Sequence, residues 1–176
     1  ISNGKFVLKP INEGSSVGVL IYYNLKKINK KKIKKYLKKY KKLLQEEFIE
    51  GKEVQVAVMG NKALGAIEIR PKRKFYDFNA KYSAKAKTEH IMPAELDKLT
   101  YKRVLQMALK AHKYIGCKGV TRSDFRIRDD NKIFILEINT QPGMTSLSLV
   151  PEIAEYKGLS FIKLIQWIVS DASINR

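Results

Sequence analysis

The chain has almost none of the residues that small secreted proteins and metal sites rely on. One cysteine, one tryptophan and two histidines occur in 176 residues. A single thiol, Cys117, cannot close an intrachain disulfide, and its place before a predicted strand reads as a core position. His90 and His112 are isolated, so no His/Cys zinc pattern exists and neither receives a role. No apolar run reaches the ~18 residues of a membrane span, and the N-terminus shows no signal-peptide pattern. Acids are scarce: 17 against 35 lysines and arginines, a formal charge of +18. Apolar residues at 44% still suffice for a core.

The charge excess is concentrated. Residues 26–42 hold 11 of the 35 basic side chains, while Ile33, Tyr36, Leu37 and Tyr40 recur at helical spacing. That is a helix with one apolar stripe and a lysine-covered remainder. A solvated face explains it, and so does an electrostatic surface for nucleic acid or anionic membrane. No arginine or exposed-aromatic ladder accompanies the lysines, so no nucleic-acid or membrane partner is expected.

The coarse pattern predicts strands near 5–9, 18–23, 43–49, 53–59, 64–70, 118–128 and 133–138. M-G-N-K at 59–62 reads as a hairpin turn. Helices are predicted near 29–41, 97–115, 149–156 and 161–170. Val104, Met107, Ala108, Ala111 and Ile115 would bury one side of the second. Ser160 would cap the last, which would turn Phe161, Leu164, Ile165 and Ile168 inward. Hairpins with segregated helices give an α+β architecture.

Three clusters carry chemistry. In the first, R-S-D-F-R at 122–126 precedes the turn signal D-D-N-K at 129–132 and then I-L-E-I-N-T-Q-P-G-M-T at 135–145. If 129–132 form the loop, Arg128 faces Ile133, Asp124 faces Glu137 and Arg122 faces Asn139. Residues two apart on a strand share a face, so these polar groups point one way and Phe125, Leu136 and Ile138 the other. Two acids at about 4.5–5.5 Å between Cβ atoms need a cation between them. Mg²⁺ suits such oxygen ligands. A structural cluster with Arg122 as counter-ion suits them equally.

In the second cluster, the strand F-V-L-K-P at 6–10 runs into I-N-E-G-S-S-V-G at 11–18. Backbone N–H groups and hydroxyls there could hold a phosphate, with Lys9 as a point charge. An ordinary hairpin turn uses the same residues. In the third, L-L-Q-E-E-F-I-E-G-K-E at 43–53 reads as a strand carrying acids. Glu46 could accept from an exocyclic amine and Glu53 from ribose hydroxyls. A half-exposed strand with a charged outer face is the alternative.

Taken in order with F-Y-D-F-N-A-K-Y at 75–82, G-C-K-G-V-T-R-S-D at 116–124 and E-I-N-T-Q-P-G-M-T-S-L-S-L-V-P at 137–151, these clusters resemble the D-alanine–D-alanine ligase family of ATP-grasp enzymes. The resemblance covers nearly the whole chain. It implies a partial ATP-grasp fold, with residues 1–50 the remainder of the central subdomain and 51–176 the C-terminal catalytic subdomain. It also implies that the chain is the C-terminal part of a larger enzyme, since the family's N-terminal domain and a second phosphate-binding lysine have no counterpart in it.

The resemblance implies roles for individual residues. Lys9 would contact ATP phosphates and Glu46 the adenine amine. Glu47 and Ile49 would meet the adenine edge through their backbones. Glu53 would hold the ribose, Phe75 would pack on adenine, Leu136 would belong to the same nucleotide-binding group, and Lys81 would reach the γ-phosphate. Asp124, Glu137 and Asn139 would hold two Mg²⁺ or Mn²⁺ ions. Arg122 and the Gly143 N–H would stabilise an oxyanion. Ser148 and Leu149 would bind the second D-alanine's carboxylate, with Ser15 and Tyr82 closing the site. Residues 77–95 would form a lid that excludes water from an acyl phosphate.

Activity would be ATP-dependent joining of two D-alanines for peptidoglycan synthesis, in the cytoplasm, by a homodimer. Tyr82 would favour D-alanine over D-lactate as second substrate. Thr121, Ser123, Arg126 and Glu47 depart from the family's common pattern, and the direction of Arg126 is open. Another ATP-grasp carboxylate–amine ligase and a lysine-rich nucleic-acid-binding module are the competing readings.

Overall fold

The computed structural model describes residues 4–70, 88–145 and 147–173. They form two compact units: residues up to Ile49 belong to one, and Glu50–Arg70 with Thr88 onward to the other. Phe75, Lys81 and Tyr82 lie outside the described residues, as does 77–87 of the expected lid.

The first unit is a three-stranded antiparallel sheet in the order β2-β1-β3, from β1 (Phe6–Pro10), β2 (Leu20–Tyr22) and β3 (Leu43–Glu47). Alternation along β1 buries Phe6 and Leu8 with Leu20 and Tyr22. The Phe6 and Tyr22 rings stack at 5.4 Å. Helix α1 (Lys30–Tyr40) starts at Asn29, whose side chain accepts from the Lys32 N–H at 2.9 Å. Only Ile33 and Tyr36 of the expected stripe pack on that core; Leu37 is exposed, because a small sheet offers a narrow surface. The α1 lysines all face solvent.

The acidic stretch 43–53 is not one strand. The chain leaves the first sheet after Glu47 and enters another at Lys52. Gly51 makes the passage at φ +121, where a Cβ would lie 2.0 Å from the Ile127 carbonyl oxygen.

The second unit is a five-stranded antiparallel sheet in the order β6-β5-β4-β7-β8. Its strands are β4 (Lys52–Met59), β5 (Lys62–Arg70), β6 (Glu89–Ile91), β7 (Val120–Ile127) and β8 (Ile133–Asn139). The 59–62 turn is as expected, with Gly60 at φ +55 in its first central position. Central β4 is covered on both faces. Helix α2 (Lys98–Tyr114) packs on Val54, Val56, Val58, Ala66, Phe125 and Ile127. Helix α3 (Leu149–Tyr156) covers the other face, where Gly65 leaves room for Ile153. Helix α4 (Phe161–Asp171) is capped by Ser160 and buries Leu164. Each fully buried aliphatic side chain contributes roughly 1.5–3 kcal/mol.

Residues 88–95, read as part of a lid, are instead built into the sheet. β6 pairs with β5, and the Ala94 N–H donates to the Ala66 carbonyl at 2.9 Å. Lys52 Nζ donates to the Glu95 carbonyl at 2.7 Å and pairs with buried Glu68 at 2.9 Å. Burial alone would raise the Glu68 pKa, but hydrogen bonds from Lys52 and Arg70 outweigh it and hold the carboxyl below its usual value.

Two apolar expectations fail at helix ends. Ile115 is exposed because α2 ends at Tyr114 and the chain turns at Gly116 (φ +70). The buried row is Thr100, Val104, Ala108 and His112, an i+4 ridge. Phe161 opens α4 and is also exposed, before the helix reaches Leu164. Cys117 is only half-buried and so is not a core residue.

His112, which had no role, is a core group. Its Nδ1 lies 2.8 Å from Thr121 Oγ1, which explains why a polar residue is tolerated at 121. Burial, then the charges of Lys113 and Lys118, push its pKa below the ordinary 6.5. A depressed folded pKa gives stability that is complete above the unfolded value and is lost as pH falls through the folded one. Urea unfolding between about pH 7.5 and 5.5 is therefore expected to show falling stability, and His112→Leu to flatten that slope.

Candidate functional site

The β7–β8 hairpin closes more tightly than expected. The Asn131 N–H donates to the Arg128 carbonyl at 2.9 Å and the Arg128 N–H to the Lys132 carbonyl at 3.0 Å, with Asn131 at φ 62. This is a three-residue loop ending in a left-handed residue. Ile127, not Arg128, therefore faces Ile133. Continued unbroken, that register would put Glu137 on the core face opposite Ser123. It is broken between Asp124 and Phe125: Phe125 faces Ile135 while Asp124 faces Glu137, leaving Leu136 as the extra residue. The expected pairs Asp124–Glu137 and Arg122–Asn139 are thus present. Leu136 does not share the buried environment of Phe125; it is 46% exposed, because the bulge interrupts alternation.

On this face Arg122 forks onto Asp124, with Nε 2.8 Å from Oδ1 and Nη2 3.0 Å from Oδ2. Arg122 is the counter-ion of an aspartate only 6% exposed, while Glu137 opposite is exposed. Asn139 Oδ1 accepts from the Gln141 N–H at 3.0 Å, pinning the start of the Pro-Gly loop. Gln55 on β4 pairs with Asp124 in register, and its buried Oε1 has no hydrogen-bond partner. Glu53, two residues earlier and on the same face, lies 3.4 Å from Arg126.

Among the described residues no three His, Cys, Asp or Glu side chains converge on a metal position. The donor set is two carboxylates and an amide oxygen, all hard ligands. Each carboxylate oxygen keeps acceptor capacity beyond one hydrogen bond. These residues fit Mg²⁺ and do not fit a thiophilic ion.

The Pro-Gly loop turns back on itself before α3. Ser148 stands at the N-cap position but does not cap. Its Oγ accepts from the Thr145 N–H at 2.9 Å and lies 2.9 Å from Thr145 Oγ1. The Ser148 hydroxyl is therefore turned to the loop rather than to the first turn of α3. Gly143 passes so close that a Cβ there would lie 2.9 Å from Ser148 Oγ.

In the first unit Lys9 and Glu46 pair at 2.6 Å, on neighbouring strands. Glu47 ends β3, and Ile49 lies beyond it on the way to Gly51. Ser15 is exposed in the loop between β1 and β2, at φ 52, with a turn closed by the Val17 N–H on the Gly14 carbonyl at 2.9 Å.

The sequence reading missed Gln55 and the partner of Arg126. The signal was present in the β4–β7 register, which pairs Glu53 with Arg126 and Gln55 with Asp124. Non-local pairing of this kind carries no turn signal in the sequence.

A family model described as "D-ala D-ala ligase C-terminus" matches residues 5–170. The chain is 61% identical over 170 residues to the D-alanine–D-alanine ligase of Pelagibacter ubique, covering 97% of this chain and 55% of that protein. It is 47% identical over 174 residues to that of Zymomonas mobilis, covering 95% and 54%. The chain thus spans about half the length of the curated relatives it matches. Among solved structures it is similar to the Bacillus anthracis D-alanine–D-alanine ligase complexed with ATP, at TM-score 0.72 and 30% identity over 94% of this chain and 52% of that one. The VanG D-Ala:D-Ser ligase of Enterococcus faecalis aligns at TM-score 0.79 and 29% identity, over 94% and 48%. The fold is accordingly α+β and of the ATP-grasp type.

Removing the fork isolates a buried carboxylate. In chelator-containing buffer, Arg122→Met is expected to lower the unfolding free energy by about 1.5–3 kcal/mol, the size of hydrogen bonds to charged groups. Urea midpoints check this.

Proposed function

Because this chain belongs to the D-alanine–D-alanine ligase C-terminus family, we propose that it forms the ATP- and metal-binding part of an enzyme that joins two D-alanines. The observation that carries the proposal is Asp124 facing Glu137, with Arg122 and Asn139 beside them, at the foot of the Pro-Gly loop. Residues 1–50 are then the remainder of the central ATP-grasp subdomain and 51–176 the C-terminal catalytic one.

In this reading the carboxylate of one D-alanine takes the γ-phosphoryl group of ATP, releasing ADP. The amine of the second attacks the acyl carbon, loses a proton, and phosphate leaves. Phosphoryl transfer demands positioning and charge neutralisation rather than covalent help from the protein. Lys9 contacts the phosphates, and Glu46 accepts from the adenine amine. Glu47 and Ile49 offer backbone groups to the adenine edge, and Glu53 holds the ribose. Leu136, turned out of the core by the bulge, is available to pack against the base. Phe75 and Lys81 take the roles of adenine stacking and γ-phosphate contact. The Lys9–Glu46 pair keeps both charges compensated while no nucleotide is bound.

Asp124, Glu137 and Asn139 would hold two Mg²⁺ or Mn²⁺ ions, which when bound neutralise phosphate charge. Arg122 has five N–H donors, and its fork onto Asp124 uses two of them. With the Gly143 N–H it donates to the oxyanion that forms when the amine attacks. The N-terminal end of α3, at Ser148 and Leu149, receives the second substrate's carboxylate. Ser15 and Tyr82 help to exclude water, and Tyr82 favours an amine over D-lactate.

Peptidoglycan precursor synthesis, a cytoplasmic location and a homodimer follow from the same reading. No helix of the described residues is long and apolar enough to cross a membrane. Ile33 and Tyr36 of α1 pack on its own sheet, and no nucleic-acid partner enters this reading.

The decisive assay is ADP release by the full-length enzyme with Mg-ATP and D-alanine, with D-lactate and D-serine offered as competing second substrates. Turnover should require D-alanine and vanish in Glu137→Gln. A folded, ATP-binding enzyme with no D-alanine-dependent turnover would sink the proposal.

A further inference from the structure

Arg126 and Glu53 occupy directly paired positions on β7 and β4. Arg126 Nη1 lies 3.4 Å from Glu53 Oε2, and the two side chains are 19% and 17% exposed. They sit on the face that carries Gln55, Asp124 and Arg122, not on the face packed against α2. We propose that Arg126 is a positioning residue for the nucleotide, holding the Glu53 carboxylate in place so that it accepts hydrogen bonds from the ribose hydroxyls. This rests on the reading of Glu53 as the ribose-binding group. It goes further by assigning ribose selectivity to a pair rather than to a single acid.

The physical case begins with charge. A mostly buried carboxylate on a face that also carries Asp124 and Glu137 is costly to keep ionised without a nearby cation. Arg122 is committed to Asp124 through two hydrogen bonds. Arg128, the next arginine along the chain and just past β7, lies with its guanidinium 4.9 Å from the Phe134 ring centroid. Arg126 is the arginine of β7 that meets Glu53.

The geometry also matters. At 3.4 Å the contact is longer than the roughly 2.7–2.9 Å of a short charge-assisted hydrogen bond. One contact of this kind takes one of the roughly four acceptor sites of a carboxylate, and two adjacent hydroxyls need two. A rigid guanidinium fork on a sheet strand aims its partner better than a flexible ammonium does.

The test uses the full-length enzyme with ATP and 2′-deoxy-ATP. Arg126→Met is expected to raise KM for ATP about tenfold, equivalent to about 1.4 kcal/mol, and to narrow the preference for ATP over the deoxynucleotide. KM for D-alanine should stay unchanged, which also reports that the variant is folded. Arg126→Lys should recover part of the loss. Glu53→Gln is run alongside. If Glu53→Gln changes the nucleotide preference and Arg126→Met and Arg126→Lys leave it as in the parent, the role of Arg126 is overturned and that of Glu53 survives. If neither position changes it, the ribose reading of Glu53 falls, and the proposal with it. Additive effects in the double variant would also overturn it, because two residues acting through one contact must couple.

Discussion

The site depends on a single extra residue in β8. The D-D-N turn closes the hairpin in a register that, continued unbroken, would bring Asp124 opposite Leu136 and turn Glu137 toward the core. The bulge at Leu136 shifts the remaining pairs by one. A one-residue slip moves every side chain to the opposite face. The bulge therefore decides whether the two acids share a surface or lie on opposite sides of the sheet. It also releases Leu136 from the core. Tight turn and bulge work as a unit: one fixes the far end of the hairpin, the other re-aims the end that carries the acids.

The second unit tolerates buried charge by a common device. Glu68 is held by Lys52 and Arg70, Asp124 by Arg122, and Glu53 by Arg126. Each acid has its cation on the same face, at the same position or two residues away along a strand. Glu68 lies on the α2 side and ties β4 and β5 to the segment after β6. The other two acids lie on the opposite face, the one α3 packs against. Similar ion pairing thus supports packing on one face and leaves chemistry possible on the other. The lysine excess of the chain stands apart from this: α1 carries it on a solvent face while its apolar stripe serves the first sheet.

The helices divide the two faces of the sheet between them. α2 seals one side of the sheet with an i+4 ridge that includes His112, tolerated because Thr121 meets it. α3 packs on β4 and β5 on the other side. It also directs its uncapped N-terminus toward the Pro-Gly loop, where Ser148 turns back to Thr145. Carboxylate and amide oxygens, a guanidinium and a helix N-terminus without a side-chain cap are thus gathered at one end of this unit.

The sequence by itself determined the elements, because their signals are local. Helical spacing, the Ser160 cap, the Gly60 turn and the motif run from Glu137 to Pro151 can all be read within a few residues. It also reached the Asp124–Glu137 and Arg122–Asn139 pairs, though through a looser loop and no bulge, two differences that cancel at the site end of the hairpin. The tertiary structure decided everything that depends on what lies across a strand or beneath a helix. It split the 43–53 stretch between two sheets, built residues 88–95 into one of them, placed His112 rather than Ile115 in the core, and gave Arg126 to Glu53. Those outcomes depend on contacts between residues distant in sequence, where burial and pairing are set by the neighbour rather than by the residue itself.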